Sequence, residues 1–289
     1  MVNIKKIAVV GGDLRQIKLA ESLLQDGFDV SVYGFDRFED DHMIPTIDDL
    51  NMIKEAESVI LPLPVTNDDV HLNMPMSCLE LPLKEVLSLV NAKSIVFGGM
   101  ISRETIDMAN YCDISLIDYY NREELIILNA LPTAEGAIQI AMEELPITLW
   151  GSRVLVLGFG RVGKILANRL YALGCSVYVA ARKASDKAWI KAFGYTPVSF
   201  DQLDEFLHEF TILFNTVPAR VLSKNRLALL KKDCLIIDLA SKPGGVDMEA
   251  AVEAGVKTIW ALSLPGKVAP ITSGEIIKET IINIFKELE

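Results

Sequence analysis

Arg153-Val-Leu-Val-Leu-Gly158-Phe-Gly160-Arg-Val-Gly163 decides the fold of this 289-residue chain. The apolar run from Arg153 to Leu157 reads as a strand that ends in three glycines spaced GxGxxG. Lys164 to Leu173 then reads as a helix and Ser176 to Ala180 as a second strand. In that setting the first glycine permits a tight turn, the second lets the backbone approach a pyrophosphate, and the third lets helix lie against strand. The helix amino terminus attracts phosphate through its unpaired N–H groups. Gly158, Phe159, Gly160, Arg161, Val162 and Gly163 are therefore expected to contact a dinucleotide.

The same pattern stands upstream. Ile7-Ala-Val-Val-Gly11, a helical stretch to Gly27 and Val30-Ser-Val-Tyr33 match Val154-Leu-Val-Leu-Gly158, a helical stretch to Gly174 and Val177-Tyr-Val179, at an offset of 147 residues for both glycines. More loosely, Ser58 to Pro64 answers Thr211 to Pro218, and Ser94 to Gly99 answers Cys234 to Ala240. Continuous apolar runs, unlike alternating ones, imply strands covered on both faces, hence parallel sheets flanked by helices. The expected fold is α/β, with two doubly wound Rossmann-like parallel-sheet domains and a cleft between them. Pro132-Thr-Ala-Glu-Gly136 and Pro270-Ile-Thr-Ser-Gly274 both carry a helix-start signal, the first opening a crossover helix toward Glu144 and the second the last helix, Glu275 to about Leu288. These starts give a substrate-side domain of residues 1–131 plus 274–289 and a dinucleotide domain of residues 132–273.

The end of the second strand reports which dinucleotide. An acid about 20 residues past the glycine turn would hold the ribose hydroxyls of NAD, whereas an arginine accommodates the 2′-phosphate of NADP. Ala180-Ala-Arg182-Lys183-Ala-Ser185 has no acid before Asp186, so NADP is expected, held by Arg182, Lys183 and Ser185. Asn215, Thr216, Val217 and Ala240 close two later strands at their carboxyl ends, the ligand side of such sheets, and join the cofactor set.

In the first half Asp13 and Gln16 stand where the second and third glycines stand in the other half. Side chains there would bar a pyrophosphate, so this half is expected to face substrate instead. Arg15, at the start of a helix, suits a substrate carboxylate, and spacing alone equally allows an exposed arginine paired with a nearby acid. Thr133, Ser241, Lys242 and Lys267 are further candidates for an anionic substrate, the last on an apolar loop from Leu264 to Pro270. Glu135, on the same helical stretch as Thr133, is a further cleft candidate.

Composition narrows the partners. With 28 Lys and Arg against 39 Asp and Glu the net charge is −11 and the pI is near 4.9, which leaves no electrostatic footprint for nucleic acid or an anionic membrane. The apolar run behind Lys5 and Lys6 stops at Gly11, too short for a signal peptide, and no other run approaches a spanning helix, so a cytoplasmic protein is expected. Cys78, Cys112, Cys175 and Cys234 lie far apart, as do His42, His71 and His208, so no disulfide framework or metal site is expected. Homo-oligomerisation stays open.

The two-lobed arrangement resembles the 2-hydroxy acid dehydrogenase and alanine dehydrogenase groups. It departs from the former in having no histidine acid/base between Leu264 and Gly274, which weighs against alcohol oxidation. The chain more closely resembles the dipicolinate synthase A subunit family of endospore-forming bacteria. Gly11-Gly-Asp-Leu-Arg-Gln16, Pro132-Thr-Ala-Glu-Gly136, Gly158-Phe-Gly-Arg-Val-Gly163, Asn215-Thr-Val-Pro218, Ala240-Ser-Lys-Pro-Gly-Gly-Val-Asp247 and Leu264-Pro-Gly-Lys-Val-Ala-Pro270 carry that resemblance from one end to the other. It implies an NADP-linked oxidation of dihydrodipicolinate, a small dianion, to pyridine-2,6-dicarboxylate during sporulation, in which the partner is a flavoprotein-like B subunit. In that reaction Asp13 and Glu135 are the candidate proton acceptors, and nothing in the sequence decides between them. The alternatives are an NADP-dependent dehydrogenase of another small amino or imino dicarboxylate, and a cofactor-binding regulatory subunit.

Overall fold

Each half of the sequence repeat forms an all-parallel sheet. The computed structural model describes residues 4–38 and 44–288, so His42 lies outside the described residues. By its contacts the chain divides into one unit of Met1–Asn129 with Ala269–Glu289 and a second of Ala130–Val268. The first unit holds β1 (Lys6–Val10), β2 (Asp29–Tyr33), β3 (Ser58–Ile60), β4 (Ile95–Gly98) and β5 (Leu116–Asp118), in the order β2-β1-β3-β4-β5. The second holds β6 (Arg153–Leu157), β7 (Ser176–Ala180), β8 (Thr196–Val198), β9 (Ile212–Asn215), β10 (Leu235–Asp238) and β11 (Lys257–Trp260), in the order β11-β10-β9-β6-β7-β8.

The second order, taken from its other edge, is the first with β8 added. In the first unit one parallel bridge between Val32 and Thr46 stands at β8's place outside β2. The correspondence reaches single bonds: Gly11 N–H donates to Tyr33 O at 2.8 Å, and Gly158 N–H donates to Ala180 O at 3.0 Å. In both sheets the chain begins on an inner strand and is laid outward in two directions. The loops beyond β1 and β3, and beyond β6 and β9, consequently diverge at a switch point, where doubly wound sheets take ligands.

Both faces of both sheets are covered. Ile7 and Val9 enter one core with Leu23, Ile281 and Phe285, while Ala8 and Val10 enter the opposite one with Leu61 and Val86. Val154 and Val156 divide from Leu155 and Leu157 in the same way. Since successive strand residues point to opposite faces, an unbroken apolar run is what burial on both sides demands.

Three helices differ from the expectation. Pro132 does not open a helix: Glu123–Glu144 is continuous, with Pro132 inside it. A proline there removes the amide that would donate to Leu128 O, at about 3 kcal/mol. Packing offsets this, because the helix gives Leu125 to the first unit's core and Ala134, Ala137 and Ala141 to the second's, all at 0% exposure. Contrary to the expectation that no run approaches a membrane span, this helix is long and apolar enough by length and composition, with 44% of its apolar window buried inside the protein. The last helix is Pro270–Glu287, with Pro270 in its first turn. It lies so close to Leu14–Gln25 that a Cβ on Gly274 would stand 2.8 Å from Arg15 O and Leu19 N. Leu264–Val268 is a short helix, not a loop.

Candidate dinucleotide site

The three glycines after β6 have three separate jobs. Gly158 turns the chain with φ +99°, and a Cβ there would stand 2.5 Å from Thr216 Oγ1. Gly163 lies inside the helix Arg161–Ala172, which begins earlier than expected, and a Cβ there would stand 2.3 Å from Gly158 O. Gly160 caps that helix in an extended conformation without a side-chain cap bond, and a Cβ there would meet nothing within 4 Å. A pyrophosphate needs an open approach to uncapped helix N–H groups, so these residues fit one. Phe159 is a correction: its ring is buried at 6% exposure in the core, which leaves only its backbone near a ligand. Gly163 serves helix packing for the same reason. Arg161 is exposed at the helix start and Val162 is half-buried.

Beyond β7, Arg182, Lys183 and Ser185 are exposed. The Arg182 guanidinium stands over the Phe200 ring, 5.6 Å from its centroid. Lys183 begins the helix Ala184–Ala192 without a side-chain cap. Asp186 is half-buried in its first turn.

At the ends of β9 and β10 the structure corrects the expected cofactor set. Asn215 is fully buried, and its amide is committed to protein: Nδ2 donates to Asp238 Oδ1 at 2.7 Å and to Val217 O at 3.0 Å, while Oδ1 accepts from Val217 N at 3.1 Å. Those bonds also use the Val217 N–H and carbonyl. Ala240 N donates to Asp238 Oδ1 at 3.1 Å, and Ala240 O accepts from Trp260 Nε1 at 2.8 Å. Asn215, Val217 and Ala240 therefore shape the loops and do not offer bonds from these groups to a dinucleotide. Asp238, 1% exposed, is the residue sequence reasoning missed; its Oδ2 also accepts from Gly245 N at 2.8 Å. The available signal was an acid closing an otherwise apolar strand. Thr216 stays beside Gly158, its Oγ1 donating to Leu157 O at 2.9 Å.

The other candidates on the second unit are accessible in different degrees. Ser241, Lys242 and Lys267 are exposed and Thr133 is half-buried. Glu135 projects from the long helix with its side chain 61% exposed, Oε1 3.6 Å from Arg169 Nε.

In the first unit the equivalent cradle is filled by the chain itself. Gly12 N–H donates to Asn73 O at 2.9 Å, and a Cβ on Gly11 would stand 2.7 Å from Met74 Cγ. Gln16, fully buried, folds over Gly12 and accepts from Asp13 N at 3.3 Å. Asp13 caps the helix by accepting from Arg15 N at 3.0 Å. Its carboxylate also receives Arg15 Nε at 2.9 Å and Nη2 at 2.8 Å, and Nη2 donates further to Leu63 O at 2.6 Å. Two expectations change here. Asp13 is spent on Arg15 and the helix cap, and is poorly placed to take a proton. Arg15, 6% exposed, ties the turn to the Leu63 loop, and its Nε and Nη2 offer nothing to a carboxylate.

Arg15→Ala is accordingly expected to destabilise the fold by about 2–3 kcal/mol, somewhat below the usual loss for a broken buried pair because Asp13 is 28% exposed and can rehydrate. Arg15→Lys should recover only part, since an ammonium lacks the bidentate fork. Denaturant unfolding checks this; unchanged stability with impaired turnover would return Arg15 to the substrate.

Residues 6–120 match the family model of the N-terminal domain of the dipicolinate synthase A subunit, and residues 133–257 match that of the D-isomer specific 2-hydroxyacid dehydrogenase NAD binding domain. The chain is 33% identical over 290 residues to the dipicolinate synthase A subunit of Bacillus subtilis, covering 98% of this chain and 97% of that one. The crystal structure of the dipicolinate synthase A subunit from Bacillus halodurans superposes with a TM-score of 0.87 at 30% identity, covering 98% of both chains. A transhydrogenase from Sinorhizobium meliloti, at 14% identity and a TM-score of 0.74 over 98% of this chain and 94% of that one, shares the fold.

Proposed function

The chain belongs to the dipicolinate synthase A subunit family, and we propose that it is the NADP-dependent oxidoreductase converting dihydrodipicolinate to dipicolinate for spore formation, in the cytoplasm and with a separate B subunit. The observation that carries the cofactor assignment is the open approach over Gly160 at a helix start, together with exposed Arg182 and Lys183 where an NAD site would place an acid. The family supports the substrate.

Bound there, the nicotinamide supplies a two-electron acceptor for a hydride from a ring carbon. The part of this chain is to hold and orient. The N–H groups opening the helix Arg161–Ala172 would hold the pyrophosphate, with Thr216 beside them, and Arg182, Lys183 and Ser185 would hold the 2′-phosphate. Ser241, Lys242, Lys267 and Thr133 would meet the substrate, the two lysines supplying the positive charge that a dianion requires. Glu135 is better exposed than Asp13 to take the ring proton, and a carboxylate suffices because aromatisation drives the step.

Purified chain with NADP and dihydrodipicolinate, with and without a B subunit, should accumulate dipicolinate and reduced nicotinamide in equal amounts, both read by ultraviolet absorbance. Absence of both products in both mixtures would overturn the activity. Arg182→Ala is expected to weaken NADP binding about tenfold or more, the scale of a charge-assisted hydrogen bond, with NAD binding nearly unchanged. Equal affinities of the intact protein for the two dinucleotides would remove the NADP assignment.

A further inference from the structure

We infer that Phe200 is a specificity-determining positioning residue, a fixed aromatic platform that aims the Arg182 guanidinium at the 2′-phosphate; this rests on the NADP reading above. An exposed arginine on a strand-end loop has many rotamers, and fixing it on a ligand loses that freedom at each binding event. A ring face within about 6 Å of the guanidinium draws it electrostatically and restricts it beforehand. Arg182 lies at 5.6 Å from the Phe200 centroid, inside that range.

Phe200 is itself held. Its half-buried ring packs against the core that includes Val198 and Leu203. Its carbonyl accepts from Arg226 Nη2 at 2.9 Å, and the same guanidinium is fixed by Asp204 Oδ1 at 2.7 Å and Val221 O at 3.0 Å. Beside it, Ser199 Oγ receives Lys187 Nζ at 2.6 Å, which ties the residue before the ring to the helix Ala184–Ala192. The platform is therefore stiffer than the arginine it carries. Its contribution falls on the dinucleotide that has a 2′-phosphate and is absent from the one that has none.

Calorimetric titration of the full chain with NADP and NAD separates this role from a merely structural one. Phe200→Leu is expected to weaken NADP binding about three- to fivefold, as loss of an exposed cation–π contact implies, with NAD binding unchanged. Phe200→Tyr, which keeps the ring face, should restore NADP affinity. Equal weakening toward both dinucleotides, or none toward either, overturns the inference. Arg182→Ala in parallel shows which layer failed: if it removes the NADP preference while Phe200→Leu does not, the NADP reading stands and the platform falls. If Arg182→Ala leaves the preference intact, both fall.

Discussion

Gly163→Ala is expected to lose dinucleotide binding and stability together, whereas Gly160→Ala is expected to lose binding alone. At Gly163 the new Cβ would stand 2.3 Å from Gly158 O and 3.0 Å from Gly158 C. Both are backbone atoms of the turn, so no side chain can swing away, and the helix must move off β6. Overpacking of this kind costs about 1–3 kcal/mol, and a contact this short against backbone belongs at the upper end. The turn that moves is the one that would present N–H groups to phosphate, so affinity should fall about 100-fold, or near 2.7 kcal/mol. At Gly160 the backbone has φ −78° and ψ −163°, which alanine adopts without strain, and the space around it is open. Alanine is the poorer helix cap by about 0.5–1 kcal/mol, but it restricts the unfolded chain by about 0.4–1 kcal/mol, so the two effects nearly cancel. Its methyl group would instead occupy the approach proposed for the pyrophosphate. Thermal unfolding and calorimetric titration of both variants check the contrast; normal dinucleotide binding by Gly160→Ala would show that the phosphates do not pass there.

The repeat made the strands legible. Apolar runs such as Val154 to Leu157 admit few partners in space, and Gly11 and Gly158 both take positive φ, which the glycine of a strand-to-helix turn announces. What stayed hidden was tertiary. The sequence shows that Asp13 and Gln16 replace glycines, but not that Asn73, some sixty residues on, supplies the carbonyl that Gly12 N–H takes. Pro132 followed by threonine is the same local signal whether a helix begins there or passes through, and only the burial of Leu125 upstream distinguishes the two. Arg15 at a helix start suggested an anion, yet Asp13 two residues before it was the anion it holds. For Asn215 the strand-end position was right and the direction of its side chain was not, because the group that turns it inward lies on another strand.

That group gives the second large expected effect. Asp238 accepts from Asn215 Nδ2, Ala240 N and Gly245 N while 1% exposed, and so joins the loop after β9 to the loop after β10. Asp238→Ala would strand the Ala240 and Gly245 N–H groups and one of the two Asn215 Nδ2 hydrogens, and at about 1–3 kcal/mol for each buried donor left without a partner a loss of about 3–5 kcal/mol is expected. Asn215 would also lose its tie to the strand that carries the loop after β10, so dinucleotide affinity should fall with stability. Asn215→Asp tests the same contact in the opposite sense. It places a second carboxylate where an amide donated at 2.7 Å, and two buried carboxylates at that separation cannot both stay ionised. The folded variant must then take up a proton that the unfolded chain does not hold at neutral pH. Since the folded state binds more protons, its stability must rise as pH falls. Asn215→Asp should be several kcal/mol less stable than the parent at pH 8 and should close much of that gap toward pH 5, where the shared proton is readily acquired. Denaturant unfolding at the two pH values measures this; a stability difference that does not change with pH would show that the two side chains do not meet in the folded protein.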